Sequence, residues 1–82
     1  MTEVVYSDRA VEWLENAEQE TRERIVKKLD GVKDFPEHYL KRLSDSPYHR
    51  QRVGDYRVII DWQKDKDRIF VREIHHREGA YD

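Results

Sequence analysis

The hydrophobic positions of this chain repeat with two different periods, and the change between them falls near residue 40. Residues 3–7, "EVVYS", form a short apolar run with β-branched side chains, which predicts a first strand. Ser7 then stands where it can cap a following helix. The next apolar residues recur at the i, i+3, i+4 and i+7 spacing of one helix face: Ala10, Trp13, Leu14 and Ala17.

A second helical stripe follows and consists of Ile25, Val26, Leu29 and Val32. A single helix over residues 8–33 would be about 39 Å long, at about 1.5 Å per residue, which is long for so small a domain. We therefore predict a helical hairpin that bends near residues 16–19. Asn16 and Gln19 resemble a capping box at the start of the second helix. Gly31 and Pro36 predict its end.

From residue 48 onwards the apolar residues alternate with polar ones. Three segments, "YHRQRV", "YRVIIDWQ" and "RIFVREIHH", are rich in β-branched and aromatic residues, and "GD" (54–55) and "KDKD" (64–67) separate them. The pattern predicts a three-stranded antiparallel meander. Gly54 can supply the positive φ that a type II′ hairpin turn needs at its first position.

The predicted order β, α, α, β, β, β indicates an α+β fold in which the helices pack on one face of a curved sheet. We expect residues 1–82 to form a single domain. In the second meander strand, period two places one set of side chains on each face. The first set is Tyr56, Val58, Ile60 and Trp62, and the second is Arg57, Ile59, Asp61 and Gln63.

The composition excludes several classes of protein. The chain has no cysteine, which rules out disulfides and cysteine-based zinc sites and suits a cytoplasmic location. We see no run near the roughly 20 apolar residues of a membrane helix and no secretory signal peptide. The four histidines lack a metal-ligand spacing such as H-x-x-x-H, so we expect neither a metal nor another cofactor.

Charge is distributed unevenly along the chain. Residues 1–40 hold six Lys/Arg and ten Asp/Glu, a balance of −4, whereas residues 41–82 hold ten and eight, a balance of +2. Within residues 48–57, "YHRQRVGDYR", there are three arginines, a histidine and only one acid. Such a local basic patch can attract phosphates although the net charge is −2.

The arginines of this patch are predicted to share one sheet face. Tyr48, Arg50 and Arg52 alternate along one strand, and Arg57 lies close to them across the hairpin. Two interpretations remain open at this point. The arginines are either surface residues paired with nearby acids, or a phosphate cradle in which guanidinium groups fork onto phosphate oxygens.

The arrangement resembles a known family. "RVGDYRVIID", a charged turn, another strand and the closing "HHREGAY" are similar to the RelE/ParE superfamily of toxins from type II toxin–antitoxin systems, and most similar to its RelE-like branch. The resemblance extends over nearly the whole chain and implies a RelE-like fold. It implies a ribosome-dependent mRNA endonuclease that acts in the ribosomal A site. In this reaction the 2′-hydroxyl attacks the adjacent phosphate and leaves a 2′,3′-cyclic phosphate.

The resemblance also implies a set of site residues and partners. Its catalytic residues would be Arg50, Arg57, Arg77 and Tyr81, and its substrate-binding residues would be Arg52, His49 and His76. The implied partners are a cognate antitoxin in a hetero-oligomeric complex, the ribosome and mRNA. His75 stands where members of the family commonly have a small residue.

Two questions stay open from the sequence. Arg50 is a poor general base because a guanidinium holds its proton far above neutral pH, so His49, His75 or His76 are possible substitutes. Adjacent strand residues point to opposite faces, so at most one of His75 and His76 faces the site. The alternative functions are a ParE-like inhibitor of DNA gyrase without nuclease activity and a non-toxic member that only binds its antitoxin.

Overall fold

The computed structural model of the protein describes residues 2–43 and 46–76. Its elements confirm the α+β class and add two short ones that were not predicted, α3 and β2. A 3-10 turn at Lys64–Lys66 joins the last two strands. In chain order the elements are β1 (Glu3–Tyr6), α1 (Asp8–Glu15), α2 (Gln19–Val32), α3 (Pro36–Tyr39), β2 (Lys41–Arg42), β3 (His49–Val53), β4 (Tyr56–Gln63) and β5 (Arg68–His76).

Helix α1 begins at the predicted cap. The Ser7 hydroxyl accepts a hydrogen bond from the Ala10 backbone N–H at 3.1 Å and donates one to the Arg72 carbonyl at 2.6 Å. The Ser7 side chain therefore accepts from a backbone N–H that has no partner within the helix, and it also links the start of the helix to β5.

The bend between the helices falls at the predicted place, but the predicted capping box is wrong. Asn16 ends α1, and its side-chain amide donates to the Glu12 carbonyl at 2.9 Å. The N-cap of α2 is Glu18, whose side chain makes no capping bond. Arg22 instead holds the bend, because its guanidinium donates to the carbonyls of Leu14 and Ala17 at 2.9 and 3.0 Å.

The five strands form one sheet in the order β1-β5-β4-β3-β2. The β3–β4–β5 meander is antiparallel as predicted, β2 extends it, and β1 pairs in parallel with β5. The helices cover one face of this sheet. The core between them consists of Ala10, Leu14, Ile25, Leu29 and Val32 from α1 and α2, Leu40, and Val53, Val58, Ile60, Ile69, Val71 and Ile74 from the sheet.

The predicted faces of the helix stripe and of β4 are largely confirmed. Val58 and Ile60 are fully buried, and Tyr56 and Trp62 pack partly buried against the same core. Val26 is the exception, since 40% of its surface is exposed. It lies at the margin of the α2 stripe, beyond the reach of the sheet.

The hairpin between β3 and β4 has the predicted turn. Gly54 has a φ of 57°, whereas the φ of Asp55 is not positive, which matches a type II′ turn. The Arg24 guanidinium lies so close to this turn that a Cβ on Gly54 would stand 2.6 Å from its Nη2. The positive φ therefore requires a glycine here, and the mobile end of the Arg24 side chain would also have to shift to make room for a Cβ.

Strand β5 contains a bulge that the sequence analysis did not predict. Ile59 pairs with Glu73, but the next residue, Ile60, pairs with Val71, so Arg72 is an extra residue in β5. The extra residue reverses the alternation of β5. Val71 and Ile74, three positions apart, both face the core.

Candidate functional site

The face of the sheet that the helices leave uncovered carries the candidate site. Cross-strand partners lie on the same face of a sheet, so the register defines which side chains come together. Arg52 lies directly opposite Arg57, and Arg50 lies opposite Ile59, the next residue of that face on β4. On the other side of Arg57, its β5 partner is His75. Three arginines and a histidine thus occupy neighbouring positions on three strands, which we call the arginine face.

Arg57 is the most buried member of this group, with 7% of its surface exposed. Burial lowers the pKa of its guanidinium, and the positive charges of Arg50 and Arg52 lower it further. Arginine nevertheless stays protonated in proteins at ordinary pH. The site therefore concentrates positive charge where little water screens it, which favours the arrival of an anion.

The bulge at Arg72 brings a carboxylate and an imidazole onto the arginine face. Glu73 is the partner of Ile59 and His75 the partner of Arg57. Glu73 Oε1 accepts a hydrogen bond from Arg9 Nη1 at 2.7 Å and lies 3.4 Å from His75 Nε2. Arg9 comes from α1 and reaches β5 beyond the end of β1. Glu73 thus lies between a guanidinium from α1 and the imidazole two residues along its own strand.

An aromatic contact and a hollow border the arginine face. The Arg72 guanidinium carbon lies 4.3 Å from the centre of the Tyr48 ring, a cation–π distance. Beside β3, a cavity of about 300 Å³ is lined by Tyr39, Lys41, Arg50, Gln51 and Arg52. Lys41 enters this hollow through β2, where it pairs with Arg50. The basic surface therefore extends from β5 across β4 and β3 to the edge of the sheet.

The structure brings Arg50, Arg52 and Arg57 together on one face, as the sequence predicted. Arg77 and Tyr81, which the resemblance assigns to catalysis, lie outside the described residues.

The structure does not bring His49 and His76 to the arginine face. His49 is the partner of Ile60 and its ring lies 5.4 Å from that of Trp62. His76 is the partner of Tyr56, with ring centres 5.2 Å apart. Both histidines thus lie on the helix-covered side of the sheet, apart from the three arginines, and their substrate-binding role stays a prediction.

The physical reason differs for the two histidines. His49 alternates with Arg50 along β3 and belongs to the core set, where burial, followed by the charges of Arg42 and Lys64, lowers its pKa. His76 would have faced the arginines in a regular strand, but the bulge turns it away and brings His75 in its place.

Sequence reasoning missed two members of the basic surface. His75 was weighed only as a possible base. A signal for its position was nevertheless present, because the apolar residues Val71 and Ile74 stand three positions apart, which breaks period two and indicates a bulge in β5. Lys41 had no such signal, since a strand of two residues leaves no periodic pattern.

Within residues 2–43 and 46–76 no group of three or more histidine, aspartate or glutamate side chains converges as metal ligands. The chemistry that the described residues of this face offer is accordingly that of fixed cations, an imidazole and a carboxylate. These groups can bind a phosphodiester, offset charge that develops on its oxygens, and accept or donate a proton.

Comparison with solved structures first defines the class of fold. The chain is similar to RelE in the RelE–RelB complex of Pyrococcus horikoshii OT3, with 22% identity, a TM-score of 0.79 and coverage of 96% of this chain and 98% of that one. The intact RelBE toxin–antitoxin complex of E. coli gives 22% identity, a TM-score of 0.78 and full coverage of both chains. The isolated E. coli RelE toxin gives 21%, 0.76, and coverage of 98% and 88%. The RelE-like fold is therefore confirmed.

The family follows from the sequence itself. A model of the family described as the ParE toxin of the type II toxin–antitoxin system parDE matches residues 4–81. The chain belongs to this toxin family, within the RelE/ParE superfamily that its motifs resemble. No curated protein matches the sequence significantly. None of the helices in the described part of the chain has the length and apolar character that crossing a membrane requires.

Proposed function

We propose that this toxin is a ribosome-dependent endoribonuclease that cuts mRNA in the A site. The observation that carries the proposal is the convergence of Arg50, Arg52 and Arg57 from two strands on the uncovered face of the sheet. Guanidinium forks match the non-bridging oxygens of a phosphodiester. An RNA strand that lies across this face would offset the mutual repulsion of the arginines.

In the proposed reaction the RNA supplies its own nucleophile. The 2′-oxygen forms a bond to phosphorus, the bond from phosphorus to the 5′-oxygen breaks, and a 2′,3′-cyclic phosphate results. Arg57 contacts the scissile phosphate, and its charge stabilises the additional negative charge of the transition state. Arg50 and Arg52 hold the flanking backbone. By the family resemblance, Arg77 serves as a second transition-state arginine and Tyr81 acts at the leaving group or stacks on a base.

We further propose that the protein acts in the cytoplasm and is neutralised by a cognate antitoxin that covers or distorts the arginine face. Two of the similar structures are toxin–antitoxin complexes, RelE–RelB and RelBE. A partner with acidic groups would complement the basic surface of β3 and β4. Co-expression with the adjacent reading frame, followed by copurification, tests this partnership.

A translating extract tests the nuclease proposal. Purified protein is added, and the 5′ ends of the mRNA are mapped with and without ribosomes. We expect new ends within codons that occupy the A site, and none on naked RNA. Arg57→Ala should reduce cleavage by about 10²- to 10³-fold, the usual effect of removing one charge-stabilising donor. Lys66→Ala, which removes a cation from the far end of the sheet, is the matched control and should cleave normally. Intact message at doses that stop translation would refute the proposal.

A second candidate function is inhibition of DNA gyrase by binding alone. The observation that favours it is the family match itself, whose description names the ParE toxin. A supercoiling assay separates the two functions. Loss of gyrase supercoiling together with intact mRNA would support the second candidate, whereas a chain that affects neither process would be a non-toxic antitoxin-binding member.

A further inference from the structure

We propose that His75 is the general base of the cleavage reaction and that Glu73 is its positioning residue. The inference rests on the proposed nuclease function and supplies the proton acceptor that the arginines cannot provide. A guanidinium holds its proton far above neutral pH, so Arg50 and Arg57 are unsuited to that task. An imidazole changes its protonation state near neutrality.

The register places His75 where a base is needed. It lies directly opposite Arg57 on the adjacent strand, and directly opposed side chains have Cβ atoms about 4.5–5.5 Å apart. A phosphate held by Arg57 therefore lies within reach of the imidazole. The side chain of His75 is 40% exposed, which leaves it open to a substrate on this face.

The neighbouring carboxylate favours one tautomer of His75. Glu73 Oε1 lies 3.4 Å from His75 Nε2, so a neutral imidazole with its hydrogen on Nε2 would turn that hydrogen towards the carboxylate. Nδ1 is then the nitrogen with a lone pair. Arg9 donates to the same Oε1 at 2.7 Å and holds the carboxylate in place. This is the orienting role that a carboxylate plays behind a catalytic histidine.

The proton and bond changes balance within this arrangement. His75 Nδ1 takes the proton of the 2′-hydroxyl as the 2′-oxygen bonds to phosphorus. The phosphorus–5′-oxygen bond breaks, and the 5′-oxygen leaves with a proton taken from solvent water. The imidazolium that forms is stabilised by Glu73, and it returns its proton to water before the next cycle. No oxidant, metal or cofactor is required for these steps.

Of three rival bases, the structure separates two from the arginine face and leaves one on it. The rings of His49 and His76 contact Trp62 and Tyr56 on the helix-covered side of the sheet. Lys41 lies on the arginine face and pairs with Arg50 of β3. Because Lys41 is on β2, it is two strands away from Arg57 on β4, the residue opposite His75. Lys41 is therefore the rival that an experiment must address.

Among residues 2–43 and 46–76, charged groups near His75 come from three elements: Glu73 on its own strand, Arg57 on β4 and Arg9 on α1. The reaction needs the neutral imidazole, so the rate of the wild-type protein should rise with pH through an acidic limb and then level off.

Single-turnover cleavage on ribosomes programmed with one short defined mRNA tests the inference, at pH values from about 5.5 to 8.5, the range in which histidine changes charge. His75→Ala should cleave about 10²- to 10⁴-fold more slowly, the usual contribution of a general base. The acidic limb should disappear, and added imidazole should restore part of the rate. His38→Ala, an exposed histidine on α3, is the matched control and should keep the wild-type profile.

Glu73→Gln tests the positioning role separately. Its imidazole remains but lacks the carboxylate beside it, so the maximal single-turnover rate should fall while an acidic limb remains. A thermal melt of each variant establishes that it is folded, and imidazole rescue of His75→Ala would itself require a folded site.

The outcomes separate this inference from the proposed function. If the wild-type protein cleaves and His75→Ala cleaves equally well with the same acidic limb, the inference is wrong and the nuclease proposal stands. If Lys41→Met abolishes the acidic limb and His75→Ala does not, the base is the lysine. If the wild-type protein cleaves no mRNA, the proposed function and the inference both fail.

Discussion

Replacement of Arg52 by threonine should make the free protein more stable and the toxin weaker. Arg52 and Arg57 are direct cross-strand partners, and like charges in such positions destabilise a sheet; favourable cross-strand pairs contribute roughly 0.2–1 kcal/mol, which sets the scale of the effect. The charge of Arg52 is also among the causes, after burial and the charge of Arg50, that lower the pKa of Arg57. Threonine suits a strand and carries no charge.

We therefore expect Arg52→Thr to raise the free energy of unfolding by about 0.5 kcal/mol in low salt, an effect of the same size as a typical cross-strand pair. For a domain of this size a change of about 1 kcal/mol shifts Tm by roughly 4–8 °C, so Tm should rise by roughly 2–4 °C. This gain in stability should shrink towards zero as the salt concentration rises to about 1 M. The screening length is about 30 Å at 0.01 M salt and only about 3 Å at 1 M.

Thermal unfolding followed by circular dichroism measures this, at both salt concentrations and with Arg52→Lys as the charge-conserving control. The lysine variant should melt close to the wild type. A short single-stranded RNA should stabilise the wild type more than Arg52→Thr, because the RNA relieves a repulsion that the variant lacks. If Arg52→Thr melts below the wild type in low salt, the charge of Arg52 stabilises the fold, and the view of a repulsive phosphate site is wrong.

Two further predictions concern the elements that support the site. Gly54→Ala should lower the free energy of unfolding by about 1–2 kcal/mol, as measured by urea unfolding. The reason is that the φ of Gly54 is 57°, and a residue with a Cβ adopts this left-handed conformation only at that cost. Adding Arg24→Ala should not cancel that loss, and full recovery in the double variant would mean that crowding by Arg24 alone is responsible. His49→Gln should flatten the acid side of the stability profile, since burial lowers the pKa of His49 below its ordinary 6.5 in the folded protein. The unfolded chain then binds more protons as the pH falls from about 7 to 5, so the wild type loses stability there; equal slopes for both proteins would contradict this account.

Local patterns were sufficient to predict most of the elements. Ser7 and the helix stripe predicted α1, Gly54 predicted the hairpin turn, and alternation predicted which face of β4 carries Arg57. Each of these features depends on residues within one turn or one hairpin, so short-range physical chemistry determines them. The arginine face followed because β3 and β4 are joined by a turn of two residues, which fixes their register.

What the sequence did not predict depends on contacts between distant parts of the chain or on a broken pattern. The exposure of Val26 depends on which part of α2 the sheet reaches. Asn16 has the chemistry of either helix end, and the contacts of Arg22 with the carbonyls of Leu14 and Ala17, which stabilise the bend, join residues eight and five positions apart. The choice between His75 and His76 depends on Arg72, the extra residue that changes which of two adjacent side chains meets Arg57.

The parallel pairing of β1 with β5 has a consequence for the newly made chain. Glu3 pairs with Arg68, and neighbouring contacts span 65 residues, so at roughly 5–20 residues per second the first strand waits about 3–13 s for its partner to be synthesised. Arg57 likewise lacks one of its two neighbouring strands until His75 has emerged. A nascent polypeptide therefore cannot assemble the complete arginine face before its last strand has been synthesised.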